Sequence, residues 1–349
     1  MMNNTMTTGN FPSFVEPLLK PGAYPHPAAE IRLVQTHISY VFLAGDYVYK
    51  IKKPVDFGFL NFTTLEKRKY YCEQELILNR RLCPTIYLEV VAITGDRGAI
   101  GINGKGEVLE YAVKMRRLPE ENMMPNIIAG GRLTAGMLDD IVDILVPFYE
   151  AAATGGEIDQ YGRASAVAAN IDENFKQAEP YVGNQALSKE EFAAIRRYTL
   201  DFLGREELFA KRIRQGRIRE CHGDLYSANI CLGDAVYIFD CIEFNKRFRY
   251  SDVASDVAFL AMDLDYHGLQ ELSAGFIDNF IRRSGDKDLR QMLLFYKCYR
   301  AAVRGKIGLL TAHEPEVDAD TRARAMEQAS RYYRLARQYA EQCRRKQNC

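Results

Sequence analysis

"ECHGDLYSANICLGDAVYIFDCIEFN", Glu220 to Asn245, breaks a long run of helical patterns with two short apolar segments. Ile230–Leu232 and Ala235–Phe239 read as strands joined by a Gly233-Asp234 turn. Antiparallel pairing sets the open ends of a hairpin side by side, which delivers Asn229 and Asp240 to one place. Asp224 lies five residues before Asn229, in the loop feeding the hairpin. An amide carbonyl and a carboxylate are hard oxygen donors, which magnesium takes when phosphates complete its shell. The third side chain, Asp224, is suited to accept a proton from an attacking hydroxyl. A surface hairpin with polar ends is the plain alternative. His222 to Ile230 followed by Tyr237 to Asp240 at this distance favours the chemical one.

The flanks set the architecture. "TAGMLDDIVDILVPFYEAAA" (134–153), "KEEFAAIRRYTLDFLGREELFAKRI" (189–213) and most of 251–345 carry apolar residues at helical spacing. The first third instead carries β-branched and aromatic runs, with a hairpin turn at Ala44-Gly45-Asp46. One helix is expected there, from about Thr64 to Leu82, with Thr63 as its cap and Glu66 reaching back. The reading is an α+β, bilobal chain: a small β-rich lobe over 1–115 with one helix, and a larger, mainly helical lobe over 116–349.

Lys+Arg and Asp+Glu both number 46, a balance that gives no electrostatic reason to expect nucleic acid. The polar N-terminus lacks a secretory layout, and apolar runs such as "VAFLAM" (257–262) fall far short of the ~20 residues that span a bilayer. A cytoplasmic protein with eight free thiols and no membrane partner is expected. Cys221, Cys231 and Cys241 recur every ten residues, a spacing that zinc sites do not use. The cationic face of 321–346 reads as a solvated surface, with Tyr332, Tyr333 and Leu335 packing inward.

"HGDLYSANI" and "IFDCIEF" resemble the catalytic loop and metal segment of the aminoglycoside phosphotransferase and choline kinase family, a small-molecule branch of the protein-kinase-like fold. "VYKIKKPVDFGFL", "EYAVKMRRLP" and "SDVASDVAFLAMDLD" extend the likeness to a bacterial subgroup in which a P-loop ATPase domain sometimes follows. No G-x-x-x-x-G-K-[ST] occurs here, so the stand-alone form is expected, with a separate P-loop ATPase as a candidate partner. The resemblance implies that Asp224 orients or deprotonates the acceptor hydroxyl. It implies that Asn229 and Asp240 hold Mg against the phosphates of ATP, with Glu243 assisting the metal through water. His222 would pin the loop, and Asp256 would hydrogen-bond the loop backbone from a buried helix. Asp252 is left without a firm role.

On the nucleotide side, strand alternation puts Val48, Lys50 and Lys52 on one face. In kinase-like folds the small apolar residue packs on adenine and the lysine two places on reaches the phosphates. Val48 and Lys50 fit best, with Lys52 as competitor. Glu75 is preferred to Glu73 as the helix carboxylate, because it lies nearer the apolar stripe. Backbone groups around Met115, Arg116 and Arg117 would bind the adenine edge. The turn "QTHISYV" has no glycine, so Thr36 and Ser39 are the candidate phosphate donors. Asp56-Phe57-Gly58 precedes the catalytic loop and cannot be the metal segment; it reads as a connector near the mouth of the cleft that turns the chain into the Thr63 cap, with part of a phosphate or acceptor lid as a secondary hypothesis.

The expected activity is ATP- and Mg-dependent phosphoryl transfer to a hydroxyl of a small molecule. The rival readings are a nucleotide-binding regulatory module without turnover, and a protein kinase.

Overall fold

The computed structural model describes residues 11–96, 98–315 and 317–347. The polar N-terminal decapeptide read above lies outside them, as do Cys349 and the side chain of Cys343. The chain forms two compact units. One takes the chain through Met123 together with Tyr237–Lys246; the other takes Met124–Val236 and the chain from Arg247 onward. The division thus falls later than residue 115, and the metal segment joins the N-terminal unit. The cause is packing: Tyr237 and Phe239 lie against the cluster of Cys72, Cys83, Tyr87, Val113 and Met115.

The first unit opens with α1 (Val15–Leu18), then β1 (Ile31–Gln35), β2 (Ser39–Ala44), β3 (Tyr47–Lys52), α2 (Leu65–Asn79), β4 (Tyr87–Asp96), β5 (Ala99–Ile102) and β6 (Glu107–Arg116). These strands form one antiparallel sheet in the order β1-β2-β3-β6-β4-β5. Gly45 makes the β2–β3 turn at φ +58°, and a Cβ there would lie 2.8 Å from the Pro27 carbonyl oxygen. Alternation gives β3 two different faces. Tyr49 and Ile51 join Phe42, Ile93 and Ala112 in one core, whereas Val48 packs with Tyr87, Val113 and Met115 in the other. The cap of α2 is Thr64, one residue later than expected, its side chain accepting from Lys67 N. The helix ends at Asn79 rather than Leu82. Arg68 fixes its first turn: its guanidinium bonds the buried Glu110 carboxylate and the Phe62 and Thr63 carbonyls.

The second unit carries α3 (Met124–Ala129), α4 (Ala135–Ala151), α5 (Ala164–Ala178), α6 (Lys189–Leu203), α7 (Glu206–Arg214), β7 (Ile218–Glu220) and β8 (Ile230–Leu232). The chain then forms β9 (Val236–Ile238), which pairs with β8, and continues through α8 (Lys246–Arg249) and β10 (Tyr250–Asp252). The helices α9 (Val253–Tyr266), α10 (Gln270–Ser284), α11 (Leu289–His313) and α12 (Ala319–Gln347) follow. β7 and β10 pair, and Asp252 caps α9 through Ala254 N. Asp252 also binds Arg212, which a second buried carboxylate, Asp286, shares. Of the expected inward residues on α12, Tyr332 and Tyr333 are buried and Leu335 only partly so. No described helix is long and apolar enough to cross a membrane.

α11 meets α12 at a glycine. A Cβ on Gly305 would lie 2.8–2.9 Å from the Tyr333 ring. Gly305→Ala should therefore cost about 1–3 kcal/mol through overpacking, read as a lower urea midpoint. Gly275→Ala on α10, where a Cβ meets nothing within 4 Å, should leave the midpoint unchanged or raise it. Equal effects from the two would contradict this packing.

Candidate active site

In the first unit the centre is a carboxylate with no exposure at all. Glu75, on the third turn of α2, places Oε1 2.9 Å from Lys50 Nζ and Oε2 2.7 Å from Lys52 Nζ. The expected choice between the two lysines is resolved by Glu75 taking both. Their other partners differ. Lys50 also pairs with Asp240 at 2.5 Å, while Lys52 pairs with Glu243. The Lys50 and Lys52 side chains are 13% and 1% exposed, whereas that of Asp240 is 43% exposed. Counting formal charges, the two lysines balance Glu75 and Glu243, so the carboxylate left over is the exposed one. Burial opposes the Lys50 charge, but Asp240 and Glu75 outweigh it and raise its pKa. Burial alone would raise Glu75, yet Lys50 and Lys52 hold it down to about 2. Glu243 is raised, burial prevailing over Lys52. Glu243 is thus a buried counter-ion for Lys52, which is a different position from the water-mediated metal ligand expected.

The segment around Asp240 is held by backbone contacts. Asp240 sits at φ +63°, a left-handed conformation that costs an L-residue about 1–2 kcal/mol. Its N–H donates to the Tyr87 hydroxyl at 3.2 Å, and Cys241 N donates to Asn79 Oδ1 at 2.8 Å. Asn79 Nδ2 in turn donates to the Glu75 carbonyl. The last residue of α2 therefore ties the Glu75 turn to the strained aspartate. Asn79 was visible in sequence only as the residue one turn beyond Glu75.

The second unit holds the loop. Asp256, fully buried on α9, accepts from His222 N at 2.7 Å and Gly223 N at 3.0 Å, as well as from the Tyr149 hydroxyl. Arg300 on α11 donates to the Gly223 carbonyl at 2.9 Å and to the Ser255 hydroxyl. His222 is buried, and its Nδ1 accepts from Asp224 N at 3.2 Å. Asn229 Nδ2 donates to both the Asp224 carbonyl (2.9 Å) and its Oδ2 (3.0 Å). The amide nitrogen being spent on Asp224, the oxygen is the atom of Asn229 left to coordinate a cation. In the first unit, Asp240 keeps one carboxylate oxygen outside its pair with Lys50. Among the described residues, no group of three or more His, Cys, Asp and Glu side chains is placed to hold a metal.

Other expectations change on inspection. The Thr36 hydroxyl accepts from Ile38 N and Ser39 N, so it closes the β1–β2 turn, and Ser39 is fully buried. In the hinge, Val48 pairs across from Met115, but Arg116 N donates to the Ile86 carbonyl and Arg117 N to that of Asp46. Asp56 takes Gly58 N and Asn61 Nδ2 on its two oxygens, which makes Asp56-Phe57-Gly58 a self-closed turn. Asp263 is buried and accepts from Ser227 N and the Tyr332 hydroxyl.

No family model matches the chain. Uncharacterised proteins of Mycobacterium tuberculosis and Mycobacterium bovis are 34% identical over 302 residues, 84% of this chain. The match spans 59% of those relatives' own length. Its neighbours among solved structures are choline/ethanolamine kinases and aminoglycoside phosphotransferases. A choline/ethanolamine kinase family protein from Mesorhizobium loti is 16% identical at a TM-score of 0.49, covering 93% of this chain and 99% of that one. A choline kinase from Streptococcus pneumoniae is 13% identical at 0.47, covering 88% of this chain and 94% of its own.

Glu75 yields a prediction with a definite sign. An ordinary glutamate titrates near ~4.3, so a carboxyl lowered in the fold contributes stability that is complete above that value and drains as pH falls through its native value. Glu75→Gln should cost about 3–5 kcal/mol at pH 7, because it leaves buried lysines short of a counter-charge. The gap between wild type and variant should narrow by pH 3, as followed by urea midpoints. A gap of the same size at both pH values would contradict the assignment.

Proposed function

We propose that this chain is an ATP- and magnesium-dependent phosphotransferase of the aminoglycoside phosphotransferase and choline kinase kind, acting on a hydroxyl of a small molecule. The observation that carries the reading is Lys50, a shielded cation ion-paired to both buried Glu75 and exposed Asp240. Such an ammonium is held in place for anionic phosphates, beside a carboxylate whose charge is in excess. Val48 lies across the strand pair from Met115 and offers an apolar seat for a base. Because the Arg116 and Arg117 amides are committed, Leu118 is the next backbone N–H for the adenine edge. Bound magnesium would neutralise phosphate charge, with the Asn229 oxygen and Asp240 as its protein ligands.

The second unit supplies the acceptor chemistry. Asp224, oriented by Asn229 and by a loop pinned on Asp256, accepts the proton of the attacking hydroxyl. The acceptor oxygen bonds the γ-phosphorus, the bond to the β–γ bridging oxygen breaks, and ADP leaves with that electron pair. Positioning and charge stabilisation carry most of the rate. A nucleotide-binding module without turnover is the second reading, favoured by one observation: the Thr36 hydroxyl is spent on its turn and Ser39 is buried.

A screen of hydroxylated metabolites for ADP release, with Mg–ATP binding measured separately, distinguishes the two. Asp224→Ala should lower turnover roughly 10²–10⁴-fold while Mg–ATP affinity is retained. Asp240→Ala should abolish the dependence of nucleotide affinity on magnesium. Unchanged turnover in either variant would contradict the residue roles. Tight Mg–ATP binding without ADP release from any acceptor would favour the second reading.

A further inference from the structure

One cation in the second unit takes no part in the loop's hydrogen bonding. Arg304 lies on α11, one turn after Arg300, with its guanidinium 4.6 Å from the centroid of the Tyr226 ring. Tyr226 follows Asp224 by two residues. Arg304 also faces the Tyr332 ring at 5.8 Å. Its Nε is buried without a hydrogen-bond partner, while the rest of its guanidinium reaches the Tyr332 hydroxyl. Burial works against its charge, but Tyr226, Tyr332, Asp224 and Asp263 together keep it protonated. The Asp224 carboxylate is thus near enough to be felt without being bound.

Two of the acids nearby, Asp263 and Asp265, are already spent. Asp263 accepts from Ser227 N and Tyr332, and Asp265 takes Lys297 Nζ at 2.7 Å and the Tyr339 hydroxyl at 2.5 Å. Tyr332 stacks on Tyr266 at 3.9 Å, and Arg331 caps Tyr266 at 4.2 Å. A cavity of about 360 Å³ at that end is lined by Tyr266, Arg331 and Arg334, with Asp265 its one acid. Guanidinium groups, those of Arg304, Arg331 and Arg334, dominate this ladder. Next to Arg304 itself the carboxylates are Asp263, which is spent, and Asp224, which the reaction uses; Glu327, beside Tyr266, is exposed to solvent.

We infer that the acceptor is a hydroxyl compound bearing an anionic group, a carboxylate or a phosphate, which Arg304 binds beside Asp224. This rests on the phosphotransferase reading and specifies its substrate class. A planar guanidinium with a donor to spare matches either oxyanion through paired N–H groups, as a lysine ammonium does not. Tyr226 and Tyr332 hold its plane in place.

The test compares two acceptor panels, hydroxy acids and phosphorylated polyols against amino alcohols and aminocyclitols. ADP release and the shift in melting temperature are both recorded for wild type, Arg304→Gln and Arg304→Lys. Anionic acceptors are expected to stabilise the wild type and to drive turnover. Arg304→Gln should lower kcat/KM for them about 10–100-fold, the size of a lost charge-assisted hydrogen bond, mainly through KM and with Mg–ATP affinity kept. Arg304→Lys should recover part of the loss. Turnover of an amino alcohol or aminocyclitol that is indifferent to Arg304→Gln would overturn this inference and leave the phosphotransferase reading standing. If Mg–ATP binds and neither panel turns over, the melting shifts decide. An anion-induced shift present in wild type and absent in Arg304→Gln upholds the anion site, and no shift in wild type overturns it.

Discussion

One buried carboxylate organises the N-terminal unit of this protein. Glu75 has two oxygens and two lysines to neutralise, and it gives one oxygen to each. Without it, Lys50 and Lys52 would be like charges on adjacent same-face positions of β3, inside an apolar cluster where an unpaired ammonium is costly. With it, each lysine keeps a second valency for a different carboxylate. Lys52, nearly sealed, spends its own on Glu243; Lys50, less shielded, meets Asp240. The two lysines therefore differ in place, Lys52 sealed inside the fold and Lys50 partly open beside Asp240.

The division also explains why Tyr237–Lys246 belongs to the N-terminal unit. Tyr237 and Phe239 are drawn into the cluster under α2, Cys241 N is caught by Asn79, and Glu243 is caught by Lys52. Between these anchors Asp240 is forced into a left-handed conformation and its side chain is left outward. Strain at one residue is offset by three attachments around it, a pattern that recurs where a functional group must be aimed.

Much of this was legible in the sequence, for identifiable reasons. Alternation along β3 has a period of two, so Val48, Lys50 and Lys52 had to share a face. The strand–turn–strand punctuation around Gly233 marked β8 and β9. What local patterns could not carry is pairing across sequence distance. Glu243 lies 191 residues from Lys52, and no spacing rule links them. Asn79 serves Cys241 across 162 residues, and it reads as an ordinary helix end until the fold closes. Thr63 and Thr64 are both sound caps, and the one-residue shift was decided by where Lys67 N points. The hydroxyls of Thr36 and Ser39 were reasonable phosphate donors by type. Turn geometry and burial, neither encoded in residue type, assign them elsewhere.

The central claim is that Lys50 faces the nucleotide phosphates while Lys52 does not. An acyl-phosphate derivative of ATP, which transfers its acyl group to an amine lying against the phosphates, tests it directly when the labelled lysine is mapped by peptide mass spectrometry. The account predicts label on Lys50, suppressed by excess Mg–ATP, with Lys52 unmodified. Label on Lys52 with Lys50 untouched would contradict it.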